Sequence, residues 1–237
     1  MAVTLASLAN TDLLTGVGGT DISGSLTGSN YTSTRLLVIG SCYTGNGGVA
    51  AAITPTGGTG VSTSKLFDGP GATTNAIGLF VFQVDYTTPP TSLSISFGGS
   101  NTYGTARVID VSGYNTTTFI DVISATQTTA NSTTPTATSL PDVTDSGGLV
   151  IGFMTYSTTS LTITPTSPFT QYSEDDEANT STQALSIITH SPGATGADDP
   201  VWSLSSADDW FAAGMVIKPA VGGGGGGGST IIVNQIF

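Results

Sequence analysis

His190, in the run Ile188-Thr189-His190-Ser191-Pro192, is the single histidine of the chain and Cys42 its single cysteine, so imidazole and thiolate chemistry each have one place to occur. Serine hydrolysis needs a base in hydrogen-bond reach of the nucleophile and a third group to orient that base. No G-x-S-x-G elbow accompanies His190, and a lone histidine at a strand end reads as a surface or satisfied residue. Acids come in tandem at Glu174-Asp175-Asp176-Glu177, Asp198-Asp199 and Asp208-Asp209. Glycoside cleavage requires two carboxyls facing each other across a sugar; neighbours in a loop read instead as solvated acidic turns. Calcium is the competing reading, because hard cations take several loop oxygens, yet no D-x-[DN]-x-[DN]-G run specifies a site. Gly16-Val17-Gly18-Gly19 and Gly45-Asn46-Gly47-Gly48 lack the helix start and basic residue of a phosphate cradle, and read as turns. Trp202 and Trp210 flank two of the acidic pairs. Exposed, they would stack sugar rings; buried, they are core.

Composition narrows the classes further. The chain has 237 residues and a net charge of −12, and its basic residues are Arg35, Lys65, Arg107 and Lys218 alone. Four such residues against 16 acids make no basic surface to neutralise a phosphate backbone, so no nucleic-acid partner is expected. One cysteine permits neither an intrachain disulfide nor a cysteine metal cluster, and no cofactor is implied. Charged residues make up 8%, against about 25% in an ordinary soluble domain. Long solvent-facing helices need a charged face, whereas 42 threonines and many β-branched residues favour strands. The first residues form neither a basic n-region nor an apolar h-region, and no apolar run reaches 18 residues, so no membrane partner is expected.

The elements that would position any site are therefore strands. The clearest are Arg35 to Tyr43, Ala76 to Val84, Leu93 to Phe97, Thr105 to Val111, Leu149 to Tyr156, Ala184 to Thr189, Val201 to Leu204 and Trp210 to Lys218. Weaker signals lie at Val3 to Leu8, Ile22 to Leu26, Val61 to Phe67, Phe119 to Ile123, Leu161 to Thr164 and Phe169 to Ser173. The order repeats: Arg35 to Thr44 parallels Gly148 to Tyr156, and each later strand finds a counterpart roughly 105 to 113 residues on. The expectation is an all-β, double-sheet, jelly-roll-like sandwich built from two similar halves around one shared, eight-stranded core, with accessory strands from residues 1 to 30. Two separate sandwiches are the alternative. The polar stretch Thr126 to Asp145 reads as an extended surface connection with one edge strand.

A body over residues 1–220 gives way to a tether and arm over 221–237. Gly222 to Gly228 form a flexible spacer of roughly 15 Å root-mean-square span. Ser229 to Phe237 then end the chain on an apolar β-type segment. Ile231, Ile232, Val233, Ile236 and Phe237 would seek a partner, by strand addition in trans or by folding back in cis.

Val111-Ser112-Gly113-Tyr114-Asn115-Thr116-Thr117-Thr118-Phe119-Ile120-Asp121, Thr133-Thr134-Pro135-Thr136, Gly147 to Ile151, Trp202 to Trp210 and Val216 to Ala220 together resemble a loose group of jelly-roll-like modules in bacteriophage virion proteins and bacterial surface proteins. The likeness spans roughly residues 34 to 220 and rests on strand-and-turn patterns. It implies a structural or adhesive chain that is not an enzyme and has no catalytic residue to carry over. The expected role is a capsid decoration (cement) protein on the virion surface, assembled in the host cytoplasm. Its partners would be copies of itself, a trimer being favoured, and the major capsid or another virion protein. The alternative is a tail-associated module that binds a receptor or glycan, using Trp202 and Trp210.

Overall fold

The computed structural model describes residues 2–6, 13–17, 21–26, 31, 33–44, 50–69, 77–97, 101–138, 140, 143, 147–157, 161–176, 184–192 and 198–221. Sixteen strands and no helix occur among them. The first half of the chain supplies β1 (Thr4–Ala6), β2 (Leu13–Val17), β3 (Asp21–Ser25), β4 (Arg35–Thr44), β5 (Ala50–Thr56), β6 (Ser62–Gly69), β7 (Ile77–Asp85), β8 (Ser92–Phe97) and β9 (Asn101–Ser112). The second supplies β10 (Ile120–Ser132), β11 (Leu149–Tyr156), β12 (Ile163–Pro165), β13 (Thr170–Asp176), β14 (Ala184–His190), β15 (Trp202–Leu204) and β16 (Asp208–Ile217).

Every pairing is antiparallel, and the two halves share one strand order. The first runs β5-β8-β3-β2-β9-β4-β7-β6, with β1 also on β9. In the second, β10-β16-β11-β14-β13 repeats the run β2-β9-β4-β7-β6. The β12-β15 pair repeats β5-β8. Residues 133–136 stand where β3 stands, joined to β15 by the Thr136–Val201 bridge and by Trp202 N donating to Pro135 O at 2.9 Å. Two tetrapeptides recur at equivalent places. Leu37-Val38-Ile39-Gly40 in β4 matches Leu149-Val150-Ile151-Gly152 in β11, and Ile53-Thr54-Pro55-Thr56 in β5 matches Ile163-Thr164-Pro165-Thr166 at β12.

The first-half sheet folds over on itself, since β5 and β6, the ends of its path, come into contact. Its inner face encloses Leu36, Val38, Phe80, Phe82, Leu93 and Ile95. The back of β9-β4-β7-β6 packs on the five-stranded sheet through Leu37, Ile39, Leu79, Ile151, Phe153 and Met215. Beyond that sheet, Val150, Met154, Tyr156 and Ile188 meet Trp202 and Leu204. The molecule is thus four layers of strand enclosing three cores.

The expectation of one shared core around eight strands accounts for the middle core alone. Each half also folds a sandwich of its own, because β4, β7, β11 and β16 are apolar on both faces and need cover on both. The burial of β11 is complete over all eight residues, whereas β8 alternates buried and half-buried. Thr126 to Asp145 holds the expected edge strand, since its first residues prolong β10 at the edge of the five-stranded sheet, but it is not all surface: Ala137, Leu140 and Val143 are buried in the second half's core.

The contact between halves is reciprocal. β7 touches β11 and β16, and its counterpart β14 touches β4 and β9. Equivalent faces therefore meet about an approximate two-fold axis, the geometry of an isologous interface within one chain. Phe67 of β6 crosses this boundary, with its ring 5.9 Å from Phe153 and 6.2 Å from Phe211.

Candidate functional site

The residues with the most versatile chemistry are built into the framework. Nε2 of His190 lies 3.1 Å from Oδ2 of Asp198, and its ring packs edge-on against Phe169 at 5.5 Å. Asp199 accepts from Leu140 N at 3.0 Å, which fastens the strap over the second core. Asp208, at the start of β16, accepts from Ser157 Oγ at 2.6 Å and Ser157 N at 3.1 Å. Tyr156 Oη donates to Glu174 Oε1 at 3.3 Å. No group of three or more potential metal ligands occurs among the described residues. These carboxylates pin loops to strand ends, a use that requires only one acceptor and one nearby N–H or O–H each.

Trp202 and Trp210 are not sugar platforms in this fold. Trp202 is fully buried, with its Nε1 donating to Ser186 Oγ at 3.1 Å, and Trp210 is 5% exposed. The alternation Trp202-Ser203-Leu204 explains this, because a strand over a core turns both bulky side chains inward and the serine outward. Cys42 faces the first half's core, and burial, then the negative charge of Asp68, pushes its thiol up to about 12. A thiol so placed is a small core side chain rather than a nucleophile. Ile231, Ile232, Val233, Ile236 and Phe237 lie outside the described residues.

A polar cluster that the sequence gave no sign of closes the junction between halves. Arg35 opens β4, and its Nε donates to Asp85 Oδ1 at 2.5 Å. Gln83 Nε2 holds the other oxygen of Asp85 at 2.6 Å. The Arg35 guanidinium lies 4.5 Å from the ring centres of both Tyr114 and Phe119, which flank the crossover from β9 to β10. Beside it the buried Asp110 accepts from the hydroxyl and the N–H of Ser33. Tyr86 is raised to about 12 by burial first and by Asp110 second. The cluster unites residues about 80 positions apart; both carboxylates accept hydrogen bonds within it, while Arg35 Nη1 and Tyr86 Oη are buried without a hydrogen-bond partner. It is a clasp, and an Arg packed against two touching rings suits a fixed joint.

What the molecule presents outward is different in kind. In the front sheet of the first half, Thr54 pairs with Ser94 and Ser94 with Ser23, forming one row of small hydroxyls across three strands. Thr56, Ser92 and Ser25 form the next row. In the second half Thr164 pairs with Ser203, and the Thr136–Val201 bridge sets Thr134 beside Ser203. All six residues of the two central rows are exposed or half-exposed. Rows lie about 4.8 Å apart across strands and roughly 6.7 Å apart along them. Asp21 is the one charged residue among the described outward positions of these two faces.

Comparison with protein-family models, with curated proteins and with solved structures returned no match. The functional reading therefore rests on this geometry and on the sequence.

Proposed function

We propose that this chain is a structural surface protein of a virus particle, most concretely a capsid decoration protein that works through contact area and not through reactive side chains. The observation that carries the reading is the division of labour just described. His190, Cys42, Asp198, Asp199, Asp208 and both tryptophans are tied into the framework, and the outward sheet faces carry short hydroxyls. Such a surface loses little side-chain entropy on contact, since serine and threonine have few rotamers to fix. The four-layer stack with three cores supplies rigidity. The glycine spacer and the apolar end of the chain supply an attachment arm, whose strand-forming residues would add to an edge of a neighbouring subunit.

Deleting Gly222 to Phe237 tests this reading. The truncated chain should keep the far-ultraviolet signature and melting behaviour of the sandwich but no longer sediment with particles. Particles that retain the truncated protein at full occupancy would remove the arm from the proposal. A purified chain that turns over a substrate would remove the structural role itself.

A further inference from the structure

We propose that the boundary between the two halves is a hinge: it opens at the end away from the Arg35 clasp, through a seam of buried hydroxyls, while each half keeps its own core closed. The seam is made by Ser41, Thr105, Thr155 and Ser173. Ser41 and Thr105 pair across β4 and β9, on the side that carries Ile39 and Ile109 into the middle core. Thr155 pairs with Leu185 and Phe211, and Ser173 with Ile187, all three of them middle-core residues. Residues directly opposite in an antiparallel pair share a face, so all four hydroxyls belong to the boundary. β14, which carries Leu185 and Ile187, is the strand that meets β4 and β9.

All four hydroxyl oxygens are buried, and none has a hydrogen-bond partner. A hydroxyl so placed has given up its bond to water without replacement, the costly case for a buried polar group. Parting the two sheets at this end gives all four access to water. The strand plan does not require hydroxyls here, since Phe153 and Ala213 stand at the equivalents of Ser41 and Thr105. Ile77, Leu185 and Phe211 lie at the same end, and exposing them opposes the opening. The closed form is therefore the ground state and the open form a minor one.

The other end stays shut. Ser41 lies roughly 20 Å along β4 from Arg35. At the Arg35 end the chain itself crosses between the halves. Val3 N donates there to Gly147 O at 3.0 Å, Asn115 N to Lys218 O at 2.9 Å and Ala220 N to Gly113 O at 2.7 Å. Leu37, Val111, Leu149 and Ile217 fill the boundary beside these bonds, and water satisfies none of them. One end is fastened, and the other carries the groups that water would satisfy. Each sandwich moves as a unit, and the angle between the halves is what changes.

Thiol labelling of the free full-length chain tests the hinge, and its outcome does not depend on the particle-surface reading. In a Cys42→Ala background, single thiols are placed along β9. Thr105→Cys lies at the seam, Val111→Cys on the same face at the clasp end, and Val108→Cys faces the first half's own core. The native side chains at all three places are at most 1% exposed. At neutral pH, well below the unfolding transition, Thr105→Cys should react at least about ten times faster than either of the others. Equal rates mean that the boundary opens only when the whole chain unfolds, and overturn the proposal. Fastest labelling at Val111→Cys or Val108→Cys overturns it as well. Should Thr105→Cys fail to fold, Ser41→Cys reports from the same row. Removing a hydroxyl at nearly constant shape gives a second reading: Thr155→Val should slow labelling at the seam about tenfold and raise the denaturant midpoint. A lowered midpoint would mean that this hydroxyl is hydrogen-bonded in the closed molecule, and sinks the hinge.

Discussion

The two halves follow one plan with unequal materials. The first covers its core with β5, β8 and β3, of seven, six and five residues. The second covers the equivalent core with β12 and β15, of three residues each. It makes up the area with large side chains: Trp202, Trp210, Tyr156 and Phe169, together with the strap through Ala137, Leu140 and Val143. The inner strands scarcely differ between the halves, because each must satisfy two cores at once. The outer layer has one core to satisfy, so strand length and side-chain bulk can be exchanged there.

That contrast can be broken most sharply at Trp202. Trp202→Ala should cost about 3–5 kcal/mol, read from denaturant unfolding, because no long strand remains to close over the cavity. Leu93→Ala, its counterpart, should cost less and stay in the range of about 2–5 kcal/mol for a buried leucine. Equal losses would mean that the second half does not depend on its tryptophan. Next comes the middle core. Ile39→Ala and Ile151→Ala occupy equivalent places on the two facing sheets and should destabilise by similar amounts, about 2–4 kcal/mol each. Calorimetry should show one transition for both variants, and a split transition in one alone would show that the halves are held together asymmetrically.

The glycine that ends the Leu-Val-Ile-Gly tetrapeptide in each half gives a smaller, more selective test. A Cβ at Gly40 would lie 2.2 Å from Phe80 Cζ, and one at Gly152 would lie 2.4 Å from Pro200 Cβ. Alanine at either position should cost about 1–3 kcal/mol by overpacking, with the first half worse because a ring inside a closed sandwich has less room than a proline in a loop. A neutral Gly40→Ala would show that Phe80 can turn aside.

Smallest at neutral pH is the alkaline difference. Cys42 and Tyr86, both in the first half, have folded-state values of about 12 against ordinary values of 9.0 and 10.0. Each raised value means that the fold favours the protonated form. The associated stability is complete below the ordinary value and is lost as pH climbs toward about 12. The first half should therefore loosen first above pH 9, with Cys42 becoming open to thiol reagents over the same range. Cys42→Ala with Tyr86→Phe should move the alkaline midpoint upward, and rapid labelling of Cys42 at pH 8 would contradict a closed core.

Legibility in the sequence followed the layers. In the two inner layers β4, β7, β11, β14 and β16 stand out as apolar runs, since burial on both faces leaves no polar alternation to dilute the signal, whereas the edge strands β6, β10 and β13 give weaker ones. Ile53-Thr54-Pro55-Thr56 gives a weak strand signal for β5 because proline and alanine depress its strand character, although its twin at Ile163 marks it. Leu13–Val17 is weak for the same kind of reason, a glycine within five residues. The Thr-rich connection hid Ala137, Leu140 and Val143, three isolated apolar residues with no period. The hydroxyl rows were invisible for a further reason: threonine and serine occur throughout, and only pairing register sorts those that share a face.

Composition and apolar spacing by themselves determined an all-strand chain in two matching halves, because side-chain alternation and β-branching act over a few residues. The tertiary structure decided the rest: that equivalent faces meet back to back, that Arg35 packs against both Tyr114 and Phe119, and that both tryptophans turn inward. Those outcomes depend on contacts between positions far apart in the chain, where the direction of a side chain is set by which neighbour happens to cover it.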